Sequence, residues 1–279
     1  MKYKLIVSDF DGTLNWYHDI VGQRLRTIDA ISAFRAKGGI FTLNTGRSYE
    51  SLEDSLKLYQ LDKVDVPVGC YNGAAIYSSA TGKLVAQYSI PNDLAIRWIK
   101  HASQWEVYIQ CYVDKNIYIE NTTKFTEIYC RGTKLNFVEV GDLVSFLKHT
   151  GYTPKKLLIM GMPDKILEID YLYNNLYKSD FLDLTFMQSH DMLYEIISSK
   201  ASKGNAVQEI AGMLDVDLSN IVCIGDNIND VSMLQVAGLG VAVENAKDEV
   251  KAVARHHTLH CTEGGVAKTI EDVVADLLP

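Results

Sequence analysis

Two aspartates close the first apolar run of the chain. In LIVSDFDGTLN, Leu5, Ile6 and Val7 lead into Asp9 and Asp11, and Gly12 breaks the run. Residues i and i+2 of a strand share a face, so the carboxylates would lie together where the strand ends, unless the turn at Gly12 splays them. Adjacent carboxylates repel and are tolerated where a cation or a shared proton offsets the charge. The alternative is an exposed pair at a strand-to-loop edge, and the pair alone does not separate the two.

Three other stretches bear on the choice. GIFTLNTGRS ends in Thr45, Gly46 and Arg47 at the mouth of a helix, where backbone N–H groups and a hydroxyl can hold an anion. NIVCIGDNIND carries Asp226 and Asp230 around Asn227 and Asn229, with no nearby base to pair the acids. SKASKGNAVQEI puts Lys203 at the start of a helix, a position unfavourable to the helix dipole unless an anion sits nearby; taken alone, it reads as a solvated surface lysine. Together they form a coherent device. Clustered acids want a hard divalent cation, and magnesium takes one or two carboxylates, waters and substrate phosphate oxygens. A carboxylate beside it can attack phosphorus in line, giving an aspartyl-phosphate that water hydrolyses. A second aspartate can protonate the leaving alcohol and then deprotonate the water. Thr45 and Lys203 would hold the equatorial oxygens as charge builds.

The elements that must position these groups follow from periodicity. KLIVSDF reads as a buried strand, a helix with apolar positions Leu25, Ile28, Ile31 and Phe34 follows, and GIFTLNT is a second strand. SLEDSLKLYQ reads as a helix and VPVGCYN as a third strand. The end of the chain repeats the alternation: NIVCIGD, a helix through Val231 to Ala237, LGVAV, a helix through Val250 and Ala254, and a closing helix GVAKTIEDVVADLL. Continuous apolar strands separated by helices predict a parallel sheet covered on both faces, with ligands beyond the carboxyl ends of its strands. The middle differs. A helix around LAIRWIKHAS leads to EVYIQCYVD and NIYIEN, which look like a hairpin, then KKLLIMG, a tyrosine-rich helix DKILEIDYLYNNLY, and the strand pair LTFMQS and MLYEIIS. The expected class is therefore α/β, a Rossmann-like parallel-sheet core of residues 1–89 and 199–279, with an α+β domain inserted at residues 90–198.

Composition bounds the function. The chain has 279 residues, a hydrophobic fraction of 47% and a net charge of −8. That charge argues against a nucleic-acid or membrane surface, since readers of phosphate backbones carry a basic excess. No apolar run approaches the roughly 20 residues that span a bilayer, and MKYKLIVSDF meets charge too early for a signal peptide. Cys70, Cys111, Cys130, Cys223 and Cys261 are widely spaced without any CxxC, which suits a reducing, cytoplasmic setting and no disulfide framework. The sequon Asn121-Thr122-Thr123 is read as accidental.

In this order DFDGTL, LNTGRS, SKGNA and GDNIND resemble the four motifs of the haloacid dehalogenase-like hydrolases. The insertion resembles the α/β cap of the Cof-type phosphatases, and YNGAAIY, GVAVENA and TEGGVAKTIE resemble further segments of that group. The resemblance implies that Asp9 is the nucleophile and Asp11 the general acid and base. It implies magnesium held by the Asp9 carboxylate, the Asp11 backbone carbonyl and Asp226, with Asp230 in support. Thr45, Gly46, Lys203 and Asn229 would bind phosphate, and Arg47 is assigned to a substrate or cap contact. Asn44, Glu244 and Gly264 depart from residues common in relatives, and Asn44 and Glu244 are expected to bear on which substrates enter.

The function implied is a phosphatase of small phosphorylated metabolites, sugar phosphates or phosphorylated cofactors, whose cap limits access to small molecules. A monomer or weak homo-oligomer is expected. A phosphomutase shares the same intermediate, and a non-catalytic phosphosugar sensor is the alternative from another class. The run Arg255-His256-His257-Thr258-Leu259-His260 reads as a polar terminal strand, not a metal site. Tyr171, Tyr173 and Tyr177 read as packing in the inserted domain. Trp16, Tyr17 and His18 are either cap contacts or loop packing.

Overall fold

The structure is a computed structural model that describes residues 1–15, 21–105, 107–130 and 135–279. Trp16, Tyr17 and His18 lie outside the described residues. In chain order, β1 (Leu5–Ser8), α1 (Val21–Ala36), β2 (Ile40–Leu43) and α2 (Tyr49–Leu58) come first, followed by β3 (Pro67–Cys70), β4 (Ala75–Ser78) and β5 (Leu84–Gln87). Then come α3 (Asn92–Ala102), β6 (Tyr108–Val113), β7 (Asn116–Ile119), α4 (Lys124–Cys130), β8 (Asn136–Glu139), α5 (Leu143–Thr150), β9 (Lys156–Met160) and α6 (Pro163–Tyr171). β10 (Leu184–His190), β11 (Leu193–Ser198), α7 (Lys203–Leu214), β12 (Ile221–Gly225), α8 (Val231–Val236), β13 (Leu239–Ala242), α9 (Asp248–Val253), β14 (His256–His257) and α10 (Gly265–Val274) complete the chain.

The chain divides into two compact units, Met1–Ala86 with Ser202–Pro279, and Gln87–Ala201. In the first, five strands run parallel in the order β14-β13-β12-β1-β2. β1 and β12 are buried along their whole length, as their uninterrupted apolar sequences require. In register, Leu5 faces Ile221 on one side and Ile40 on the other, so the strands that carry Asp9, Thr45 and Asp226 end side by side. α1 and α10 are joined by a bidentate pair, Arg26 donating to Glu271 through Nε at 2.8 Å and Nη2 at 2.7 Å.

Two details of the α/β unit differ from the expectations. The buried stripe of α1 is Thr27, Ala30, Ile31 and Phe34, while Leu25 is exposed. The helix is rotated by about one position because Ala30 and the Thr27 methyl serve the core as well as Leu25 would. β3 does not join the parallel sheet beyond an isolated bridge from Gly69 to Asn44. It pairs antiparallel with β4, in a separate sheet of order β3-β4-β5.

The second unit is a six-stranded sheet of order β10-β11-β9-β6-β7-β8. On one face of it Ile109, Cys111, Leu157, Ile159, Tyr194 and Ile196 join a core with Trp98 and Tyr173. On the opposite parity, Lys156 pairs with Glu195 at 3.3 Å across neighbouring strands. The β6–β7 and β10–β11 pairs are antiparallel, as the alternating runs predict. Tyr173 stacks on Phe186 with centroids 4.7 Å apart and lies 5.9 Å from Tyr177, so both tyrosines pack, while Tyr171 is exposed. Cys70, Cys111, Cys223 and Cys261 are buried free thiols. No helix among the described residues is long and apolar enough to cross a membrane.

Candidate active site

The β1 ladder continues one residue past the strand, the Asp9 amide donating to Ile224 at 2.9 Å. The backbone then turns: the amide of Asn15 donates to Phe10, and that of Gly12 donates to Asn15, both at 2.8 Å. Gly12 has a φ of +81°, and a Cβ there would lie 2.5 Å from Oδ2 of Asp226. Only glycine permits both that conformation and that approach. Thr13 closes the gap, its hydroxyl donating to Asp226 Oδ1 at 2.6 Å. The turn therefore carries the acid after β1 to the acid after β12.

Asp9 is 5% exposed and Lys203 1% exposed. The Lys203 ammonium donates to Asp9 Oδ1 at 2.6 Å and to Asp230 Oδ1 at 2.5 Å. Lys203 opens α7, whose N-cap Ser202 accepts from the amide of Asn205; the two anions answer the dipole problem a lysine has there. Asp230 is fully buried, and its second oxygen accepts from the amides of Asp226 and Asn227, each at 2.9 Å. Its carboxylate is thus committed to positioning Lys203 and the loop that carries Asp226.

One carboxylate oxygen each from Asp9, Asp226 and Asp230 lies within 4.8 Å of the others. Burial, reinforced by Asp230, holds the Asp9 carboxyl well above the usual carboxylate range despite Lys203. Burial and Asp230 likewise push Asp226 up to about 6. For Lys203, burial alone would lower the pKa, but the pull of Asp230 and Asp9 raises it. Asp226 and Asp9 thus bring carboxylate oxygens within 4.8 Å of each other. Carboxylates gathered this closely are tolerated where a cation or a shared proton offsets the charge. With all groups ionised, three acids face one ammonium and leave an excess of negative charge. A hard divalent cation fits this set: Asp9 and Asp226 offer oxygen donors, while Asp230 already accepts from Lys203 and two amides and stands in support.

The Asp11 carboxylate does not join the cluster. It is 52% exposed and lies in the fork of Arg47, which donates through Nε at 2.7 Å and Nη2 at 2.6 Å. The Arg47 guanidinium also sits 4.8 Å over the Phe10 ring. The strand ends at Ser8, so Asp9 and Asp11 do not keep the shared face that strand periodicity predicts. Thr45 is buried, its amide donating to Gly69 at 3.0 Å and its hydroxyl accepting from the amide of Arg47 at 3.2 Å. Asn229 donates from Nδ2 to Asn72 Oδ1 at 2.8 Å, and a Cβ on Gly46 would lie 3.1 Å from that same oxygen.

Several supports escape motif reading. Asn44, expected to bear on substrate choice, is fully buried and donates to the carbonyl of Lys203 at 2.8 Å, so it fixes the lysine's helix. Asn245 donates to the Gly12 carbonyl at 2.7 Å and accepts from the amide of Cys261. Asn44, Asn72 and Asn245 share one signal in the sequence: each follows an apolar strand within two or three residues.

The haloacid dehalogenase-like hydrolase family matches residues 6–270 of this chain. The Bacillus subtilis (strain 168) protein named "Putative phosphatase YxeH" is 32% identical over 278 residues, 98% of this chain and 98% of that protein. A second protein of that organism, named 5-amino-6-(5-phospho-D-ribitylamino)uracil phosphatase YitU, is 26% identical over 97% of each chain. The crystal structure of TM0651 from Thermotoga maritima matches with a TM-score of 0.80 at 27% identity, covering 96% of this chain and 97% of that one. This chain belongs to the haloacid dehalogenase-like hydrolases. Within that family it is an enzyme of the phosphatase class.

Proposed function

We propose that the protein is a magnesium-dependent phosphatase that hydrolyses small phosphate monoesters through an aspartyl-phosphate on Asp9. The observation that carries the reading is the setting of Asp9: a buried carboxylate at the end of a central strand, 2.6 Å from the Lys203 ammonium and with an oxygen within 4.8 Å of one of Asp226. An anion so enclosed has no structural use that a neutral side chain would not serve better.

An Asp9 oxygen attacks phosphorus opposite the ester oxygen, the new P–O bond forms and the ester P–O bond breaks. Asp11 gives its proton to the departing alcohol. A water then loses a proton to Asp11 and attacks the phosphoryl group, the bond to Asp9 breaks, and inorganic phosphate leaves with Asp9 restored. Lys203 keeps Asp9 oriented and its charge countered, while Thr45, Gly46 and Asn229 hold the phosphoryl oxygens. The Asp9 and Asp226 carboxylates with the Asp11 carbonyl would hold magnesium, which supplies positive charge against phosphate oxygens when bound. Asp11 must release one oxygen from the Arg47 fork to serve, so Arg47 couples substrate arrival to the proton donor. Residues 90–198 act as a cap that admits small molecules. The relative named for a phosphorylated ribitylaminouracil supports a small phosphorylated metabolite as substrate.

A panel of sugar phosphates and phosphorylated cofactors, assayed with magnesium for released phosphate, tests the reading. The expected result is turnover of a subset of esters that chelation abolishes and magnesium restores. Absence of turnover across the panel, or turnover indifferent to chelation, would contradict it.

A further inference from the structure

Outside the acid cluster, the turn Tyr71–Gly73 holds an unusual backbone. Tyr71, Asn72 and Gly73 have φ of 53°, 56° and 88°, three left-handed residues in succession, two of them not glycine. Such a run persists only where its surroundings over-determine it. Here they do. The amides of Tyr71 and Asn72 donate to the carbonyls of Arg47 and Thr45, both at 2.9 Å, while the Thr45 amide donates back to Gly69 at 3.0 Å. A Cβ on Gly73 would lie 2.2 Å from the carbonyl oxygen of Ser202, the cap of the helix that Lys203 opens. The turn thus touches three segments that carry proposed phosphate ligands.

The Asn72 side chain is aimed at two of them. Asn72 is 1% exposed, accepts from Asn229 at 2.8 Å and covers the Cα face of Gly46. Asn229 Oδ1 is buried without a hydrogen-bond partner among the described residues, so Asn72 is what fixes the Asn229 amide. We propose that Asn72 is a positioning residue that locks Asn229 and the turn of Thr45 and Gly46 into a single anion cradle. The inference rests on the phosphatase reading and assigns it one more working residue.

Asn72→Gly separates side chain from backbone, because glycine accepts the left-handed conformation without strain. The probes are inorganic phosphate, whose binding is measured by calorimetry and by competitive inhibition, and p-nitrophenyl phosphate as a generic ester. Asn72→Gly is expected to weaken phosphate binding and raise KM by about tenfold, the scale of one hydrogen bond to a charged group. kcat, the magnesium half-saturation and Tm should change little. Asn229→Ala should have a similar effect, and the double variant should resemble either single one, since the first acts through the second. Multiplicative effects, a loss confined to Tm, or wild-type phosphate binding in Asn72→Gly would overturn the proposal while leaving the phosphatase reading intact. A wild-type protein that neither binds phosphate nor cleaves any ester would overturn both.

Discussion

Lys203 and Asp226 set the electrostatics of the site at the residue scale. Replacing a buried carboxylate by its amide normally removes a useful charge, but Asp226 stands among acids, and its pKa rises from 3.8 to about 6. A group with a raised folded pKa contributes stability that is fully present below its unfolded pKa and is lost as pH rises through the folded value. Without metal, the wild-type protein should therefore be less stable than Asp226→Asn at pH 8, by at most on the order of 2–3 kcal/mol. The gap should close below about pH 4. Saturating magnesium should reverse the order, raising the Tm of the wild type and leaving that of the variant unchanged. Thermal melts over pH 4–8 with chelator or magnesium check this; a constant gap would mean that Asp226 does not titrate in that window.

The residues that carry charge were legible because a strand that ends in acids needs an explanation. Their hydrogen-bond partners were not. Asp230 carries the same charge as Asp226, yet its oxygens are taken by Lys203 and two amides, a distinction made by backbone geometry around residues 226–230. The sequence leaves Asp11 either beside Asp9 or splayed away by the turn at Gly12, and the turn sends its carboxylate to Arg47.

At the scale of elements, the turn after β1 matters more than the strand. Gly12→Ala forces a Cβ to within 2.5 Å of Asp226 Oδ2 and also strains a φ of +81°. Displacing Asp226 by about 1 Å should lower kcat/KM roughly a hundredfold and weaken magnesium activation. A steady-state comparison at varied magnesium tests this, and near wild-type kinetics would mean that the approach of Gly12 to Asp226 is not needed. Apolar runs announced β1, β2, β12 and β13, since a strand buried on both faces leaves no polar position to blur the pattern. They could not announce partners: VPVGC has the same apolar texture as those strands, yet β3 pairs with β4 because the intervening turn is short enough for a hairpin. The phase of α1 was misread for a related reason: small Ala30 and Thr27 fill the core where a scan for large apolar residues picks Leu25.

At the scale of the whole molecule, chemistry and insertion belong to separate compact units. Asp9, Asp226, Asp230 and Lys203 all lie in the unit of Met1–Ala86 and Ser202–Pro279, whereas Gln87–Ala201 has its own core around Trp98. Trp98 is fully buried, and Trp98→Ala should destabilise that unit by about 3–5 kcal/mol. Magnesium should still stabilise the variant as it does the wild type, because every proposed ligand lies in the other unit. Hydrogen exchange with and without magnesium reads both effects; loss of the magnesium effect in Trp98→Ala would tie the ion site to the inserted unit. Texture is what predicts an insertion at residues 90–198, alternating strands and a tyrosine-rich helix against flanks of continuous apolar strands.

If the proposed chemistry holds, Asp9 becomes phosphorylated during turnover. Acid quench of the wild type turning over an ester from the panel with magnesium, followed by peptide mass analysis, reads it directly. The expected result is one added phosphoryl group on the peptide that contains Asp9, absent from Asp9→Asn, which folds normally and releases no phosphate. Phosphate release by Asp9→Asn at a rate near the wild type, or a phosphoryl group found on another residue, would contradict it.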